Sequence, residues 1–267
     1  MEIRKLTILG GRGKDGTAER VREVTLEMGQ VVSIVGPTGC GKTTLINDIE
    51  LFANENTPSR RRVLLNGEPV PEDAMLDPSH NPMALISQHT NFLSDLPVRV
   101  FLETHARIRG AARADTIVEE TQDFANQLTG EPLILDSAMT ELSGGQTRAL
   151  LIADAVVIGQ SPIILLDEIE NAGIDRTRAL ELLRRYEKMF LFVTHDPRIA
   201  LLSDFRIVLR AGAMQEVIET NEEEQKVAAE IRKLDDLLLE FRQKIRQGQR
   251  LGYGMLEERL RALGYLA

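Results

Sequence analysis

The stretch from Gln30 to Thr43 reads QVVSIVGPTGCGKT. Its first six residues are mostly apolar and predict a buried strand, and a helical pattern follows from about Gly41 to Phe52. A strand that enters a helix through glycines is typical of an α/β fold. The connecting turn fits G-x-x-x-x-G-K-[ST], and its residues, with the threonine that follows, are Gly36, Pro37, Thr38, Gly39, Cys40, Gly41, Lys42, Thr43 and Thr44.

This turn has the chemistry of a phosphate-binding loop. Glycines let consecutive backbone N–H groups surround an anion, and the start of a helix adds about half a positive charge. Lys42 is expected to reach the terminal phosphates of a nucleotide, and Thr43 to offer its hydroxyl to Mg²⁺. We interpret Cys40 as a small residue tolerated in the loop rather than as a redox switch.

A second apolar run, from Ile163 to Leu166, is followed by two acids, Asp167 and Glu168. They emerge at the carboxyl end of a predicted strand, where open α/β sheets bind their ligands. We assign Asp167 to holding Mg²⁺ and Glu168 to orienting or deprotonating an attacking water. Two such acids alone are commonly a solvated turn, so the assignment depends on the phosphate loop upstream.

A third motif lies between the other two and runs from Leu142 through Ser143, Gly144, Gly145 and Gln146 into a helix. Ser143 can cap that helix, and the glycines expose N–H groups to an anion. One nucleotide does not need two such sites on one chain. We therefore expect this motif to face the γ-phosphate held by another subunit; taken alone, it is an ordinary capped helix.

Composition limits the function classes. The 267 residues carry a net charge of −9, which disfavours nucleic acid as a partner. Aromatic residues make up 4% and tryptophan is absent, so a nucleotide must be held chiefly through its phosphates. The single cysteine indicates a reducing, cytoplasmic compartment without structural zinc. No apolar run reaches the ~18 residues of a membrane helix, so we expect no direct membrane insertion.

The order of the patterns predicts two domains, 1–219 and 220–267. Strands alternate with helices in the first, which predicts a mostly parallel sheet covered on both faces. In the second, Glu222 to Gln247 carries one apolar stripe along a helix, and Met255 to Leu263 forms a shorter helix. The stripe either packs back as a stabilising hairpin or serves dimerisation or partner docking.

In this order, the motifs resemble those of the ATP-binding cassette (ABC) ATPases, from about Leu6 to Gly212. Gln88 resembles the Q-loop glutamine of that family, Leu142 to Gln146 its signature, and His195 its switch histidine. The resemblance implies a P-loop NTPase fold with a mostly parallel core sheet, a small antiparallel β subdomain and a helical lobe at about 89–142. It also implies a head-to-tail dimer that buries two ATP molecules, with Gln88 sensing the γ-phosphate and contacting Mg²⁺ and His195 contacting the γ-phosphate.

The sequence also departs from the family pattern. The stretch Leu9 to Gly13 lacks the aromatic residue that usually stacks on adenine; either Arg12 substitutes for it by a cation–π contact or base discrimination is poor. Of the residues that the family usually has in the loop after Glu168, this sequence retains only the last one, Asp175. Asp154 stands where many transporter cassettes have arginine.

These features predict Mg²⁺-dependent ATP hydrolysis by a dimer of this chain or of this chain with a paralogous cassette. The first hypothesis for its role is the energy-coupling subunit of a transporter, held at the inner face of the cell membrane by a membrane-spanning partner. The alternative is a soluble cassette protein acting in enzyme maturation or macromolecular assembly. Nucleic-acid repair or translation is disfavoured by the net charge and by the single cassette.

Overall fold

The computed structural model describes residues 2–70, 81–87, 90, 92, 94–110, 114–167 and 176–266. The chain folds into two compact units, Met1–Glu219 and Thr220–Ala267. We call the second one the C-terminal unit.

A six-stranded sheet forms the centre of the first unit, in the order β10-β9-β3-β8-β7-β6. Its strands are β3 (Val31–Val35), β6 (Met83–Ile86), β7 (Ile163–Asp167), β8 (Met189–Val193), β9 (Phe205–Arg210) and β10 (Ala213–Glu219). All neighbours pair in parallel except β9 and β10, which form an antiparallel edge hairpin. The apolar runs of β3, β7 and β8 are buried because helices cover one face of the sheet, and helix Lys42–Glu50 and the smaller sheet cover the other.

A smaller antiparallel sheet has the order β2-β1-β4-β5. It consists of β1 (Lys5–Leu9), β2 (Glu23–Glu27), β4 (Arg62–Leu65) and the short β5 (Glu68–Pro69). Alternate residues such as Leu6 and Leu26 are fully buried, as the two-residue period of a strand requires. Together the two sheets confirm the predicted α/β class with its small antiparallel part.

The helices of the first unit are α1 (Lys42–Glu50), α2 (Val98–Ile108), α3 (Ala114–Leu128), α4 (Gly144–Val157), α5 (Arg176–Leu183) and α6 (Pro197–Leu202). Leu102 of α2, Val118 of α3 and Leu150 of α4 belong to one buried cluster with Ile164 of β7. The sequence periodicity after Arg176 by itself predicts a helix that extends to Lys188. It ends at Leu183, and a turn leads from there into β8.

A buried ion network connects the two sheets. The Arg61 guanidinium donates to Glu19 (Nη2–Oε1 2.6 Å), to Asp48 of α1 (Nη1–Oδ2 2.7 Å) and to the Gly212 carbonyl (2.7 Å). Burial alone would lower the pKa of Arg61, but the hydrogen bonds and negative charges of Glu19 and Asp48 raise it. The guanidinium therefore stays charged inside the protein.

Lys188 is a second cation with limited access to water. Its Nζ donates to the Ser161 carbonyl at 2.9 Å, just before β8 begins. Burial lowers the pKa of Lys188 from 10.5 to about 8, because the charged form loses hydration.

The C-terminal unit is a helical hairpin of α7 (Glu222–Arg246) and α8 (Tyr253–Ala262). Asn221 caps α7 by accepting the Glu224 amide, and three glutamates follow in the first turn, which suits the helix dipole. Two hydrogen bonds join the hairpin. Arg259 Nη2 of α8 donates to Glu240 Oε1 of α7, and the Tyr265 hydroxyl donates to Glu230 Oε2 of α7, each at 2.7 Å. In the described part of the chain, every helix is too short or too polar to cross a bilayer.

Candidate functional site

The predicted phosphate loop lies between β3 and α1. Gly41 precedes α1 in the left-handed region, with φ 101°, and the first turn of the helix receives no side-chain cap. Thr43 and Thr44 are exposed in this turn, whereas Cys40 is buried beneath the loop, as expected for a structural residue. The loop therefore presents backbone N–H groups and two hydroxyls at a helix start, the arrangement that binds phosphate.

Lys42 is held across the mouth of this loop. Its Nζ donates to the carbonyl oxygens of Gly36 at 3.0 Å and Pro37 at 3.4 Å. The ammonium is thereby positioned on the same loop as the glycine amides. Two kinds of positive group, fixed dipoles and one full charge, converge on one small volume.

The turn between β9 and β10 supports the loop from behind. The Gly212 amide donates to the Cys40 carbonyl at 2.7 Å, and a Cβ at Gly41 would lie 2.8 Å from Gly212 Cα. Glycine is required at this close approach because any larger residue would push the turn away. The Arg61 network reaches the same place through the Gly212 carbonyl.

The carboxyl ends of β3, β8 and β7 bring three predicted groups to one edge of the sheet. Asp167 closes β7 and pairs in register with Val193 of β8, two residues before His195. The Thr194 amide donates to Ile34 of β3 at 3.2 Å, immediately before the phosphate loop. His195 is exposed, and Asp196 beside it is buried and caps α6. This edge is where open α/β sheets bind ligands.

Three predicted site residues, Gln88, Glu168 and Asp175, lie outside the described residues. Their roles remain predictions. The strands that precede Gln88 and Glu168, β6 and β7, end at the edge of the sheet described above.

The predicted signature forms the start of α4. Ser143 Oγ accepts the Gln146 amide at 3.3 Å, and Gln146 Oε1 accepts the Ser143 amide at 2.9 Å, which is a capping box. Gln146 also donates to the Pro132 carbonyl, at 3.0 Å. Ser143 and Gly144 are exposed and Gly145 is half-buried, so the motif is presented at the surface of the subunit.

Arg12 and Lys14 occupy the loop that was predicted to lie near the base. Arg12 is exposed, and its backbone amide donates to the Ser59 carbonyl at 2.6 Å. Lys14, which sequence reasoning missed, donates from Nζ to the Gly39 carbonyl of the phosphate loop at 2.8 Å. The glycine-rich sequence around Lys14 does not predict this contact, because Lys14 and Gly39 are 25 residues apart.

The sequence alone indicates no function for His105, which lies beside an acid in the structure. Its Nδ1 lies 2.6 Å from Oδ1 of Asp154 on α4, and both side chains are largely buried. The acid that replaces the arginine of many transporter cassettes is therefore matched by a partner on α2. The pair ties the segment after β6 to the signature helix.

The donor set at the sheet edge fits Mg²⁺. Thr43 and Asp167 supply oxygen atoms, which this hard cation prefers, and it commonly takes only one or two protein ligands besides phosphates and water. Across the described residues, no group of three or more His, Cys, Asp or Glu side chains could hold a metal by itself. The site is therefore suited to a cation that arrives with a polyphosphate.

The sequence profile of a family described as ABC transporter matches residues 21–171, more than half of the chain. This chain belongs to the ABC transporter family. The match contains the phosphate loop, the signature and the acids Asp167 and Glu168. As an ABC ATPase, it binds and hydrolyses ATP.

Two relatives in this family match most of this chain. An uncharacterized ABC transporter ATP-binding protein of Methanocaldococcus jannaschii, MJ0121, is 51% identical over 251 residues, 94% of this chain and 96% of the relative. The Fe(3+) ions import ATP-binding protein FbpC 1 of Rhizobium meliloti is 32% identical and is matched over 71% of this chain. The cassette spans 53% of that importer subunit's length.

Solved structures share its fold. The cbiO1 protein of Clostridium perfringens, described as part of the ABC transporter complex cbiONQ, superposes with a TM-score of 0.61 at 22% identity, over 86% of this chain and 94% of its own. The ATP-binding cassette MJ0796, a dimer bound to ADP and Pi, gives 0.60 at 21% identity, over 81% and 99%. At such identities the likeness concerns the fold alone.

Proposed function

We propose that this cassette is the energy-coupling subunit of a transporter and hydrolyses Mg²⁺-bound ATP in a head-to-tail dimer. The observation that carries the proposal is the convergence of the phosphate loop, Asp167 and His195 at the ends of three adjacent parallel strands. Such a constellation places positive groups around a polyphosphate and a carboxylate and an imidazole next to it.

Each residue has one task in this proposal. The amides of Gly39 and Gly41 and the Lys42 ammonium bind the β- and γ-phosphates. His195, fixed between a strand end and the cap of α6, contacts the γ-phosphate, and Gln88 senses the same group. Glu168 orients the attacking water and accepts its proton. Thr43 and Asp167 would hold Mg²⁺, which would supply positive charge next to the phosphates.

The second half of each reaction centre comes from another subunit. The exposure of Ser143 and Gly144 supports this arrangement, because an anion-binding helix start at the surface can meet a nucleotide held by a partner. The partner is a second copy of this chain or a paralogous cassette. Adenine contact by Arg12 belongs to the same proposal.

A membrane-spanning subunit completes the transporter and holds the cassette at the inner face of the cell membrane. Support comes from the relatives, since several are named as ATP-binding proteins for import. These names favour transport over a role in enzyme maturation or macromolecular assembly. The cargo of those relatives is not transferred to this chain.

Glu168→Gln tests the catalytic assignment. It removes the base but keeps the shape of the side chain, so nucleotide affinity should persist while turnover falls by about 100-fold or more. The variant should also accumulate as an ATP-bound dimer in size-exclusion chromatography. Wild-type turnover by this variant would refute Glu168 as the base.

Purification of the tagged chain from detergent-solubilised membranes of its native host tests the transport role. A multi-span membrane protein should co-purify, and ATP hydrolysis by the complex should depend on it. Recovery with soluble assembly factors alone would support the second role instead.

A further inference from the structure

Helix α7 carries an apolar stripe along one side. We define the stripe by its six residues, Val227, Ile231, Leu234, Leu238, Phe241 and Ile245. Ile231 and Phe241 are half-buried, whereas Val227 is 50%, Leu234 42%, Leu238 50% and Ile245 59% exposed. Four large apolar side chains in one line on a helix are an unfavourable surface to leave in water, since burying them would stabilise the protein.

The hairpin with α8 uses a different side of α7. Leu237 is buried, and it lines the groove between the helices with Lys233 and Glu240 from α7 and Ala262 and Leu263 from α8. With about 100° between successive residues of a helix, the stripe lies roughly a quarter of a turn from that groove. The helical hairpin therefore leaves the stripe available for another surface.

The spacing of the stripe is that of a coiled coil. Steps alternate between four and three residues, an average of 3.5, which places Ile231, Leu238 and Ile245 at a positions and Val227, Leu234 and Phe241 at d positions. A helix that packs on a globular core usually shows a wider apolar face. A narrow seam of this period fits one other helix with the same period.

We propose that the stripe pairs with the same stripe of a second copy of this chain, with the two α7 helices antiparallel. The stripe is its own mirror in sequence. Reversal about Asp236 places Val227 opposite Ile245, Ile231 opposite Phe241 and Leu234 opposite Leu238, so every apolar residue meets an apolar partner. Such self-complementarity is what a two-fold symmetric interface requires.

Flanking charges favour the antiparallel direction. In this register the g positions bring Glu230 of each copy next to Lys244 of the other. Glu230 already accepts from Lys233 and Tyr265, and Lys244 already pairs with Glu240, so the two contacts extend existing networks. Asp235 lies near Asp235 of the second copy, which gives one like-charge pair. Parallel helices would instead set Glu230 against Asp235 twice and gain no such attraction.

The length of the seam sets its strength. From Val227 to Ile245 the stripe spans about 28 Å, which is less than three heptads. A seam this short should give only a weak dimer, and we take a dissociation constant of about 10 μM as the working value for its test. This contact needs no nucleotide, so it keeps two copies together before ATP joins their cassettes.

Sedimentation of the full chain in EDTA, without nucleotide, tests the pairing. We expect a monomer–dimer equilibrium that Leu234→Glu or Leu238→Glu weakens by about tenfold or more. Leu239→Glu is the matched control, since Leu239 is 42% exposed, like Leu234, but lies off the stripe. It should leave the equilibrium unchanged.

Disulfide cross-linking tests the direction. Antiparallel pairing predicts a strong cross-link when Leu234→Cys and Leu238→Cys proteins are mixed and a much weaker one for either alone. Parallel pairing would cross-link Leu238→Cys with itself. The native Cys40 is buried and gives little background.

Three results would overturn the proposal. One is a chain that stays monomeric without nucleotide at about 100 μM, well above the expected dissociation constant; the stripe would then serve a different partner. Another is equal weakening by Leu239→Glu. The third is efficient self-cross-linking of Leu238→Cys. Hydrolysis of ATP by the stripe variants is a separate readout, so failure here leaves the catalytic assignments intact.

Discussion

Arg61 and Glu19 form a two-point ion pair in which neither side chain has exposed surface. Nε and Nη2 of Arg61 donate to Oε2 and Oε1 of Glu19, at 3.2 Å and 2.6 Å. Glu19 also accepts the backbone amides of Gly11 and Met214. The pair thus joins the loop that carries Arg12 to the hairpin that supports the phosphate loop.

Replacement of Arg61 should destabilise the protein strongly. Arg61→Met leaves Glu19 and Asp48 buried without their cation, and loss of one partner of such a pair costs about 3–5 kcal/mol. Urea unfolding at neutral pH measures the free energy change. Arg62→Met, at the next residue, which is half-buried and begins β4, should cost less than about 1 kcal/mol. Equal costs for the two variants would contradict the structural role of the network.

Lys42 and Lys14 both donate to carbonyls of the phosphate loop, but we expect different effects on nucleotide binding. Lys42→Ala removes the full charge from the mouth of the loop and should weaken ATP binding by about tenfold or more. Lys14→Ala should weaken it by about threefold or less, because Lys14 bonds to the outer carbonyl of Gly39. Titration with a fluorescent ATP analogue compares the two. A larger effect for Lys14→Ala would reverse the assignment.

Two substitutions of Ser143 test its helix capping and its cross-subunit binding separately. Ser143→Ala removes the cap of α4 and should cost about 1 kcal/mol of stability. Ser143→Arg adds bulk where the partner's nucleotide would bind, so it should reduce turnover by about tenfold or more while nucleotide binding to the open subunit persists. Steady-state hydrolysis and equilibrium binding measure the two effects. Unchanged turnover in Ser143→Arg would argue against the shared site.

Lys188 predicts a rise of stability with pH. Its folded pKa of about 8 lies below the 10.5 of the unfolded chain. Below pH 8 both states hold the proton and the folded state bears the burial cost; between pH 8 and 10.5 only the unfolded state keeps it, so stability increases. After allowance for partial exposure, we expect wild type to gain about 2 kcal/mol relative to Lys188→Met between pH 7 and 10.5.

Lys188→Arg is the control for this titration, since arginine stays charged throughout the range. It should lose stability relative to wild type as the pH rises. Urea unfolding of the three proteins at matched pH values provides the measurement. A constant difference between wild type and Lys188→Met would show that burial does not perturb this amine.

Local sequence patterns predicted the strands, helix starts and turns that are determined by residues close together in the sequence. The apolar runs that became β3 and β7 were placed within one residue, because each is bounded by glycine, proline or acids. The start of α4 was predicted through Ser143, whose cap is made within three residues. The phosphate loop could be predicted because its motif contains the glycines that the turn requires.

Long-range contacts could not be predicted in this way. His105 meets Asp154 across 49 residues, and Arg61 meets Glu19 across 42, so no spacing rule relates the partners. The sequence did not predict the hairpin of β9 and β10: buried residues alternate in β9, but β10 shows no such two-residue period. The end of α5 was overestimated, since Arg184 and Arg185 suit a helix but also suit the turn that reaches β8.

Strand β8 is buried at all five residues and is hydrogen-bonded on both sides, by β3 and β7. Amide hydrogens in such a strand exchange with solvent only when the whole sheet opens. His195 follows this strand by two residues, and Asp167 pairs with its last one. The chemistry of the cassette is therefore anchored to the slowest-opening part of the fold, and local fraying at the periphery leaves its geometry undisturbed.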